Sequence, residues 1–523
     1  MNLLLTPYSR FIVLPVLIPF FTAVTILLLR RRLRAVRWVA LAGSTGGLVT
    51  ALVLLAHVAD GRLLVTQLGG WPAPYGITFV VDLFSAMMLT MASLTGTLVL
   101  VYTIGSLDAE RERMGFYALY QFLLMGVCGS FITGDLFNLY VFFEIMLVSS
   151  FGLMTLGGER CQLEGGLKYV VINMVSSTLF VSALGVLYGV AGTLNMADLS
   201  QRLLAAPPGL VAVLASMFLV IFGIKAGLFP LYFWLPASYH TPPPAVSALF
   251  AGLLTKVGVY ALIRVFTLLF LQDTAYTHAL ILVIAGLTMV VGVLGAVAQY
   301  NFRRLLAFHI ISQIGYMIMG LALFTPLALA GAILHIIHNM VVKTNLFLVS
   351  GVAERLGGTP DLKKLGGLAT TQPALAGLFL VSALSLAGLP PLSGFFSKFT
   401  LVLAGLESRQ YLIVAVSLAV SFLTLFSMIK IWNEAFWKPA LPLSVSPSQL
   451  PCADPQPLSA HAPAAGRPPG WLVLAPIATL ALLSLGLGLG AGGIYSLAQR
   501  AAESLLDPSA YVAAVLTPTT GGP

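Results

Sequence analysis

Long apolar stretches follow one another along the whole chain, separated by short polar or turn-forming segments. Most are close to twenty residues or longer, and a helix of that length crosses the ~30 Å hydrocarbon core of a bilayer. The pattern predicts an all-α polytopic membrane protein of about fourteen transmembrane helices. The predicted spans are residues 11–29, 36–58, 77–103, 116–133, 136–156, 167–191, 209–236, 243–271, 277–298, 303–323, 326–352, 372–404, 410–432 and 471–496.

The seventh and twelfth spans contain prolines that interrupt a helix. Each proline removes a backbone donor and clashes with the preceding turn. The hexapeptides AGLFPL (226–231) and AGLPPL (387–392) match at five of six positions. Broken helices at membrane depth require protein or water to satisfy the freed backbone groups. The two related breaks predict an internal repeat with discontinuous helices, an architecture of transporters.

Composition excludes a soluble globular protein, because 59% of the 523 residues are hydrophobic, only 9% are charged and the mean hydropathy is +0.97. The first loop, RRRLRAVR (30–37), holds five arginines. The positive-inside rule makes this loop cytoplasmic and places both termini outside. Most other basic residues fall in loops on the same predicted side, so the net charge of +9 does not indicate a nucleic-acid partner.

Metal, nucleotide and redox sites are not indicated. Cys128, Cys161 and Cys452 lie far apart, without the spacing of a zinc or iron–sulfur site. The chain has no Walker A motif and no dinucleotide fingerprint in a soluble βαβ unit. We therefore expect no cofactor and no bound metal, and a transport role instead of an enzymatic one.

Ionisable residues in the middle of predicted spans are the candidates for function. Glu144 is the acid at the centre of a span, in GDLFNLYVFFEIMLVSS (134–150), and Lys225, Lys256 and Lys398 are also mid-span. An unpaired charge at that depth costs several kcal/mol. We therefore expect a counter-ion for Glu144, with Lys225 as the nearest mid-span lysine along the chain.

The eleventh span adds His335, His338 and Lys343, which spread over an arc of roughly 140° at the helical repeat. Histidine titrates near neutral pH and suits a proton relay. A metal site is less favoured because His-x-x-His supplies only two ligands. Together with Glu144 and the three other lysines, these residues predict a chain of proton-transfer groups across the middle of the membrane.

Four further residues are less decisive. His309 could join the polar chain or be a satisfied core histidine. Asp82 and Asp135 lie at span edges, where they could line an entry path or cap helices. Arg264 lies near the end of its span, from which it could extend to the interface.

The longest motifs resemble the antiporter-like subunits shared by Mrp-type cation/proton antiporters, respiratory complex I and membrane-bound hydrogenases, with the Mrp members most similar. The resemblance covers nearly the whole chain and rests on GDLFNLYVFFEIMLVSSFGLMTLGG, IKAGLFPLYFWLPASYHTPPPAVSALFAGLLTKVGVYALIR, RRLLAFHIISQIGYM and AGLPPLSGFFSKF. It implies two inverted five-helix repeats and discontinuous helices 7 and 12. It also implies an essential helix-five Glu paired with a helix-seven Lys, which match Glu144 and Lys225.

The same resemblance assigns roles to the remaining candidates. Lys256 matches a helix-eight lysine, and His335, His338 and Lys343 match ionisable residues of helix eleven. Lys398 takes the helix-twelve position, where some complex I relatives carry Glu. The implied regions are 1–115 (helices 1–3), 116–271 and 272–437 (the two repeats), 438–470 (a flexible Pro-rich cytoplasmic loop) and 471–523 (helix 14 and tail).

The expected function is proton translocation within a heteromeric Na⁺/H⁺ antiporter of a bacterial plasma membrane. Its partners would be other membrane subunits, lipids and the transported H⁺ and Na⁺, with no nucleic acid. One alternative is a proton-pumping subunit of a complex I-like oxidoreductase or membrane-bound hydrogenase. A second is a single-chain transporter of an organic solute.

Overall fold

Apolar helices dominate the structure, a computed structural model that describes residues 11–439 and 469–517. Residues 440–468, which hold most of the predicted Pro-rich loop, lie outside the described residues. The first part of the chain forms five helices and a two-stranded hairpin. These elements are α1 (Leu14–Leu28), α2 (Leu33–Val58), β1 (Leu64–Gln67), β2 (Thr78–Val81), α3 (Leu83–Ser106), α4 (Ala109–Arg113) and α5 (Phe116–Ile132).

The remaining helices continue in chain order. The next group is α6 (Leu136–Thr155), α7 (Arg160–Ala191), α8 (Met196–Arg202), α9 (Pro208–Ala226), α10 (Trp234–Ser238), α11 (Pro244–Gly252) and α12 (Leu254–Leu268). It is followed by α13 (Thr274–Ala298), α14 (Phe302–Leu323), α15 (Pro326–Gly357), α16 (Leu368–Thr371), α17 (Pro373–Ala387), α18 (Ser393–Glu407) and α19 (Tyr411–Ile431). The last three are α20 (Trp471–Leu489), α21 (Ala491–Leu506) and α22 (Ser509–Leu516).

The multi-span helical fold predicted from the sequence is confirmed. Among the described residues, 12 helices are long and apolar enough to cross a membrane. Two shorter apolar helices, α5 and α17, occupy predicted spans four and twelve. Every predicted span therefore contains an apolar helix, while the total of fourteen crossings stays a prediction.

Four helices form the centre of the helical body. The apolar windows of α11–α12 and α15 are buried over their whole length, and that of α14 is 94% buried. The windows of α1, α13 and α20 are only 39% buried, as expected for helices that face lipid. The central helices carry most of the candidate polar residues, so these side chains are held inside the protein.

Both predicted breaks are present and end their first half-helix in the same way. Gly227 follows α9 with φ +82°, and Gly388 follows α17 with φ +92°. Glycine takes this left-handed conformation without a steric cost. Pro230 lies in the first gap, whereas Pro236 lies inside α10 and not in the gap.

Two matching bridges support the predicted internal repeat. Asp135 caps α6 and bridges to Asn195, while Asn301 caps α14 and bridges to Asp361. In each bridge the first residue of the helix donates to a carbonyl across the bridge at 2.9 Å. The shared geometry favours two related five-helix units, which remain a prediction.

The hairpin and the two C-terminal helices were not predicted. β1 and β2 pair antiparallel from Leu64 opposite Val81 to Gln67 opposite Thr78. The Gln67 side chain donates to the Val515 carbonyl at 3.3 Å, so α22 lies at the hairpin end of the body. Because α2 runs from the arginine-rich loop 30–37 to the hairpin, this end is opposite the arginines. We call it the hairpin end.

Candidate functional site

The residues chosen from the sequence are nearly all inside the helical body. Glu144 is half-buried, and the other six are at most 6% exposed. The six are Lys225, Lys256, His335, His338, Lys343 and Lys398.

Lys225, at the end of α9, is held by neutral acceptors. Its Nζ donates to Ser177 Oγ at 3.0 Å and to the Asn173 carbonyl at 3.3 Å, both on α7. The same Nζ lies 5.6 Å from the ring centroid of Phe143, the neighbour of Glu144. Among the ion pairs of the described residues, none joins Glu144 to Lys225, and Glu144 Oε1 has no hydrogen-bond partner. The expected direct ion pair is therefore not formed, because Lys225 is turned towards α7.

Lys256 marks a junction between two helices that the sequence predicted as one span. α11 ends at Gly252 and α12 begins at Leu254. The Lys256 ammonium donates to the Ala251 carbonyl in the last turn of α11. A cation is stabilised at a helix C-terminus by the helix dipole and the free carbonyls.

Lys398 holds the same kind of position at the second break. Its Nζ donates to the Leu386 and Ala387 carbonyls at the end of α17, at 3.0 and 3.3 Å, and to Ser421 Oγ at 3.0 Å. It also lies 4.9 Å from the ring centroid of Tyr316. The lysine therefore satisfies carbonyls that the broken helix leaves free.

The two histidines of α15 join that helix to α18. His335 Nδ1 is 3.0 Å from Ser397 Oγ, and His338 Nδ1 is 2.8 Å from Ser393 Oγ. The two imidazole centroids are 5.7 Å apart. In each histidine Nε2 is buried and has no hydrogen-bond partner among the described residues.

Lys343 is fully buried, and its Nζ has no hydrogen-bond partner within the described part of the chain. Gln313 is also buried, and both of its amide atoms lack a partner. Buried polar atoms are normally paired with protein or with ordered water. Unpaired polar atoms therefore lie on two adjacent central helices, α14 and α15, within the described residues.

Three of the four less decisive candidates have clear local roles. His309 Nε2 contacts Ser427 Oγ at 2.6 Å and ties α14 to α19. Asp135 accepts from the Asn138 amide at 2.8 Å as the N-cap of α6, and burial raises the pKa of its carboxyl to about 6. Asp82 caps α3 by accepting from the Ser85 amide at 2.8 Å.

Comparison with known proteins places the chain in a family. The model described as "NADH:quinone oxidoreductase/Mrp antiporter, TM" matches residues 133–424. The chain belongs to this family. It is 47% identical to the D-type subunit of the Na⁺/H⁺ antiporter of Alkalihalophilus pseudofirmus, over 97% of this chain and 99% of the relative. It is 42% identical to the corresponding antiporter subunit of Bacillus subtilis over the same shares.

A solved structure agrees with this assignment to the NADH:quinone oxidoreductase/Mrp antiporter family. A chain in the structure of the Mrp complex from Dietzia sp. has a TM-score of 0.90 and 35% identity to the present chain. The match covers 98% of this chain and 100% of that one. The family fold therefore extends beyond the residues that the family model matches.

This family member contains one buried ion pair that was not predicted from the sequence. Arg264 on α12 forms an ion pair with Asp82 at 2.6 Å, and its guanidinium also donates to Tyr260. Arg264 therefore does not extend to the interface. Both charges were visible in the sequence, but their pairing depends on the packing of α3 against α12.

The difference between this pair and the lysines indicates what the site can do. Arginine is always charged, and in this family member Arg264 has a carboxylate counter-ion. None of the four buried lysines has a carboxylate partner among the described ion pairs, and three of them bind neutral oxygens. A lysine held by neutral oxygens can lose its proton without leaving an unpaired anion behind. The lysines are therefore suited to a change of charge, and Arg264 is not.

Proposed function

We propose that the chain is the D-type subunit of an Mrp-type Na⁺/H⁺ antiporter and that it translocates protons inside a multisubunit membrane complex. It is a transporter subunit and not an enzyme. The observation that carries the proposal is the set of four buried lysines that have no carboxylate partner among the described ion pairs, two of them on the central helices α12 and α15. The identity to two antiporter subunits over nearly the whole chain supports the Mrp type over a complex I-like or hydrogenase subunit.

In this proposal the proton path runs through residues in the middle of the membrane. Glu144 is half-buried on the outer face of α6, where a neighbouring subunit can reach it. The path continues through Lys225, Lys256, the group His335, His338 and Lys343 on α15, and ends at Lys398. Protonation of one group disfavours charge on the next, so the sites titrate together.

The proposal includes the membrane arrangement predicted from the sequence. The arginine-rich loop 30–37 lies on the cytoplasmic side of a bacterial plasma membrane, and the hairpin end faces outward. The regions 116–271 and 272–437 form two inverted repeats. The other subunits of the complex are the protein partners, and Na⁺ and H⁺ are the transported ions.

The test uses the complete complex in membrane vesicles of a strain that lacks other Na⁺/H⁺ antiporters. Glu144→Gln and Lys225→Met should each reduce Na⁺-driven proton movement to below about a tenth of the wild-type rate, as expected for loss of a proton-transfer group. Glu164→Gln is the matched control, because Glu164 is an exposed acid that pairs with Lys168 on the surface of α7.

Assembly of the complex is measured for every variant. Full antiport by Glu144→Gln and Lys225→Met in an assembled complex would contradict the proposal. Transport by this chain without partner subunits would favour a single-chain transporter, and dependence on NADH or H₂ oxidation would favour a respiratory subunit.

A further inference from the structure

Three serine hydroxyls from three different helices meet beside the second break. Ser385 is on α17, Ser393 on α18 and Ser484 on α20, and all are at most 8% exposed. Their oxygens are 3.1 Å (Ser385 to Ser393), 2.9 Å (Ser385 to Ser484) and 3.0 Å (Ser393 to Ser484) apart. Ser484 lies beyond residue 424, where the family match ends. We call these residues the serine cluster.

The serine cluster is held by close backbone contacts that only glycine permits. A Cβ on Gly394 would lie 1.8 Å from the Ser385 carbonyl oxygen and 2.9 Å from His338 Cε1. A Cβ on Gly488 would lie 2.2 Å from the Pro391 carbonyl oxygen. The absence of these side chains lets α17, α18 and α20 approach closely enough for the hydroxyls to meet.

The bonding of these serines differs from that of an ordinary serine in a membrane helix. Ser417, for example, donates to the Val414 carbonyl of its own helix at 2.8 Å. Among the described hydrogen bonds, the three clustered hydroxyls bond to one another, to His338 and to the Gly394 amide instead. A hydroxyl that donates and accepts at once can relay a proton.

The cluster connects the polar axis to a small cavity. His338 Nδ1 contacts Ser393 Oγ at 2.8 Å, and its Nε2 has no partner. A cavity of about 20 Å³ is lined by His338, Ser393 and Ser397 on one side and by Leu487, Ala491 and Ile494 on the other. That volume holds about one water molecule.

The cavity lies towards the hairpin end, because α20 ends and α21 begins there. The segment 484–493 reads SLGLGLGAGG, so few side chains cover the cavity from outside. A Cβ at Gly486, Gly492 or Gly493 would meet no atom within 4 Å apart from the backbone of its own stretch of helix. The glycine-rich junction is therefore open towards the surroundings of the protein.

We propose that His338 and the serine cluster form a branch that carries protons between the mid-membrane path and the hairpin end. In one step His338 Nε2 accepts a proton from the path while its Nδ1 proton moves to Ser393 Oγ. Ser393 passes its own proton to water in the cavity, which His338 and Ser393 line, while Ser385 and Ser484 hold the Ser393 hydroxyl in place. Ser393 Oγ gains and loses one proton, so one proton moves in total. The branch rests on the proposed function.

Two kinds of variant test the branch in the complete complex in vesicles. Ser484→Ala removes one hydroxyl, and Ala491→Leu fills the cavity but keeps every hydroxyl. Each should lower the initial antiport rate at least about tenfold at unchanged complex abundance, because proton relays contribute factors of this size or larger. Ser484→Thr, which keeps the hydroxyl, should restore the rate. The matched controls are Ser417→Ala and Gly492→Ala, which leave the cluster and the cavity intact.

A second measurement does not depend on transport. Ala491→Cys, which lines the cavity at the partly exposed glycine-rich junction, should react with a small aqueous methanethiosulfonate reagent, above the background set by the wild-type complex. Leu480→Cys, on the buried face of α20, should not react. Equal protection of both cysteines would overturn the branch.

The outcomes separate the two proposals. Normal antiport in both Ser484→Ala and Ala491→Leu, together with loss of antiport in Glu144→Gln, would overturn the branch alone. Normal antiport in Glu144→Gln would overturn the proposed function, and the cysteine reactivities would then still decide whether water reaches the cavity.

Discussion

Arg264 on α12 and Asp82 at the start of α3 form an ion pair of 2.6 Å in which each side chain is 8% exposed. The Asp82 carboxylate also caps α3, and the Arg264 guanidinium lies 5.5 Å from the ring centroid of Tyr511 on α22. Burial raises the pKa of Asp82, but the charge and hydrogen bonds of Arg264 and Ser85 outweigh burial and hold it below its usual value. The ion pair therefore connects α12 to the start of α3 at the hairpin end.

Removing one member of this pair should destabilise the protein strongly. Arg264→Met leaves Asp82 as a buried unpaired carboxylate, which costs about 3–5 kcal/mol in comparable cases. We expect less of this chain in membranes and a lower melting temperature of the purified complex. The double variant Asp82→Asn with Arg264→Met should recover most of the loss, because Asn still caps α3. Equal losses in the single and double variants would contradict the pairing.

Lys398 provides a test that separates packing from proton transfer. Lys398→Arg keeps a cation that can donate to the Leu386 and Ala387 carbonyls, but arginine does not deprotonate in proteins. We therefore expect an assembled complex whose antiport rate falls by about two orders of magnitude or more. Lys430→Arg is the control, since Lys430 also donates to carbonyls, at Val297 and Gln299, outside the proposed path.

Wild-type antiport by Lys398→Arg would show that only the cation at the end of α17 matters. That outcome would remove Lys398 from the proton path and leave it the structural role of closing the broken helix.

Much of the fold could be predicted because the apolar residues of each membrane helix are consecutive in the sequence. Each such helix can be recognised without knowing which helices pack against it. The two helix breaks could also be predicted, since the proline and glycine residues at 226–231 and 387–392 interrupt the helix in which they lie. The hairpin was missed because its strands are only four residues long. α21 was missed because apolar and polar residues alternate along it, so it forms no continuous apolar run.

The candidate site was predictable only as a set of residues. A lysine in the middle of a span is visible in the sequence, but its partner depends on which way the side chain turns in the packed structure. Lys225 turns to Asn173 and Ser177 on α7 and not to Glu144. Arg264 and Asp82 were each noticed for other reasons, and only the packing of α3 against α12 brings them together.

Asp135 should make the stability of the protein depend on pH. Burial raises its pKa from 3.8 to about 6 in the folded protein. The unfolded chain therefore ionises first as the pH rises, so stability is highest below about pH 4, falls as the pH rises from about 4 to about 6, and stays at the lower level above that. At roughly 1.4 kcal/mol per pKa unit, the loss is about 3 kcal/mol.

Asp135→Asn keeps an acceptor for the Asn138 amide and removes the titration. The melting temperature of this variant, compared with wild type, should rise between pH 4.5 and pH 7. A difference that stays constant over this range would contradict the role of Asp135.

Lys343 should be a residue whose removal costs function but not stability. Its ammonium is fully buried and has no partner among the described residues, so a charged Lys343 is expensive to keep. Lys343→Met fills a similar volume without a charge. We expect unchanged or higher melting temperature and complex abundance, together with a loss of antiport.

Lys256→Met is the matched comparison, because Lys256 donates to the Ala251 carbonyl and its loss exposes the end of α11. That variant should lose both stability and antiport. Normal antiport in Lys343→Met would exclude Lys343 from the proton path, and a clear fall in melting temperature would show that its ammonium is satisfied by a partner or by water.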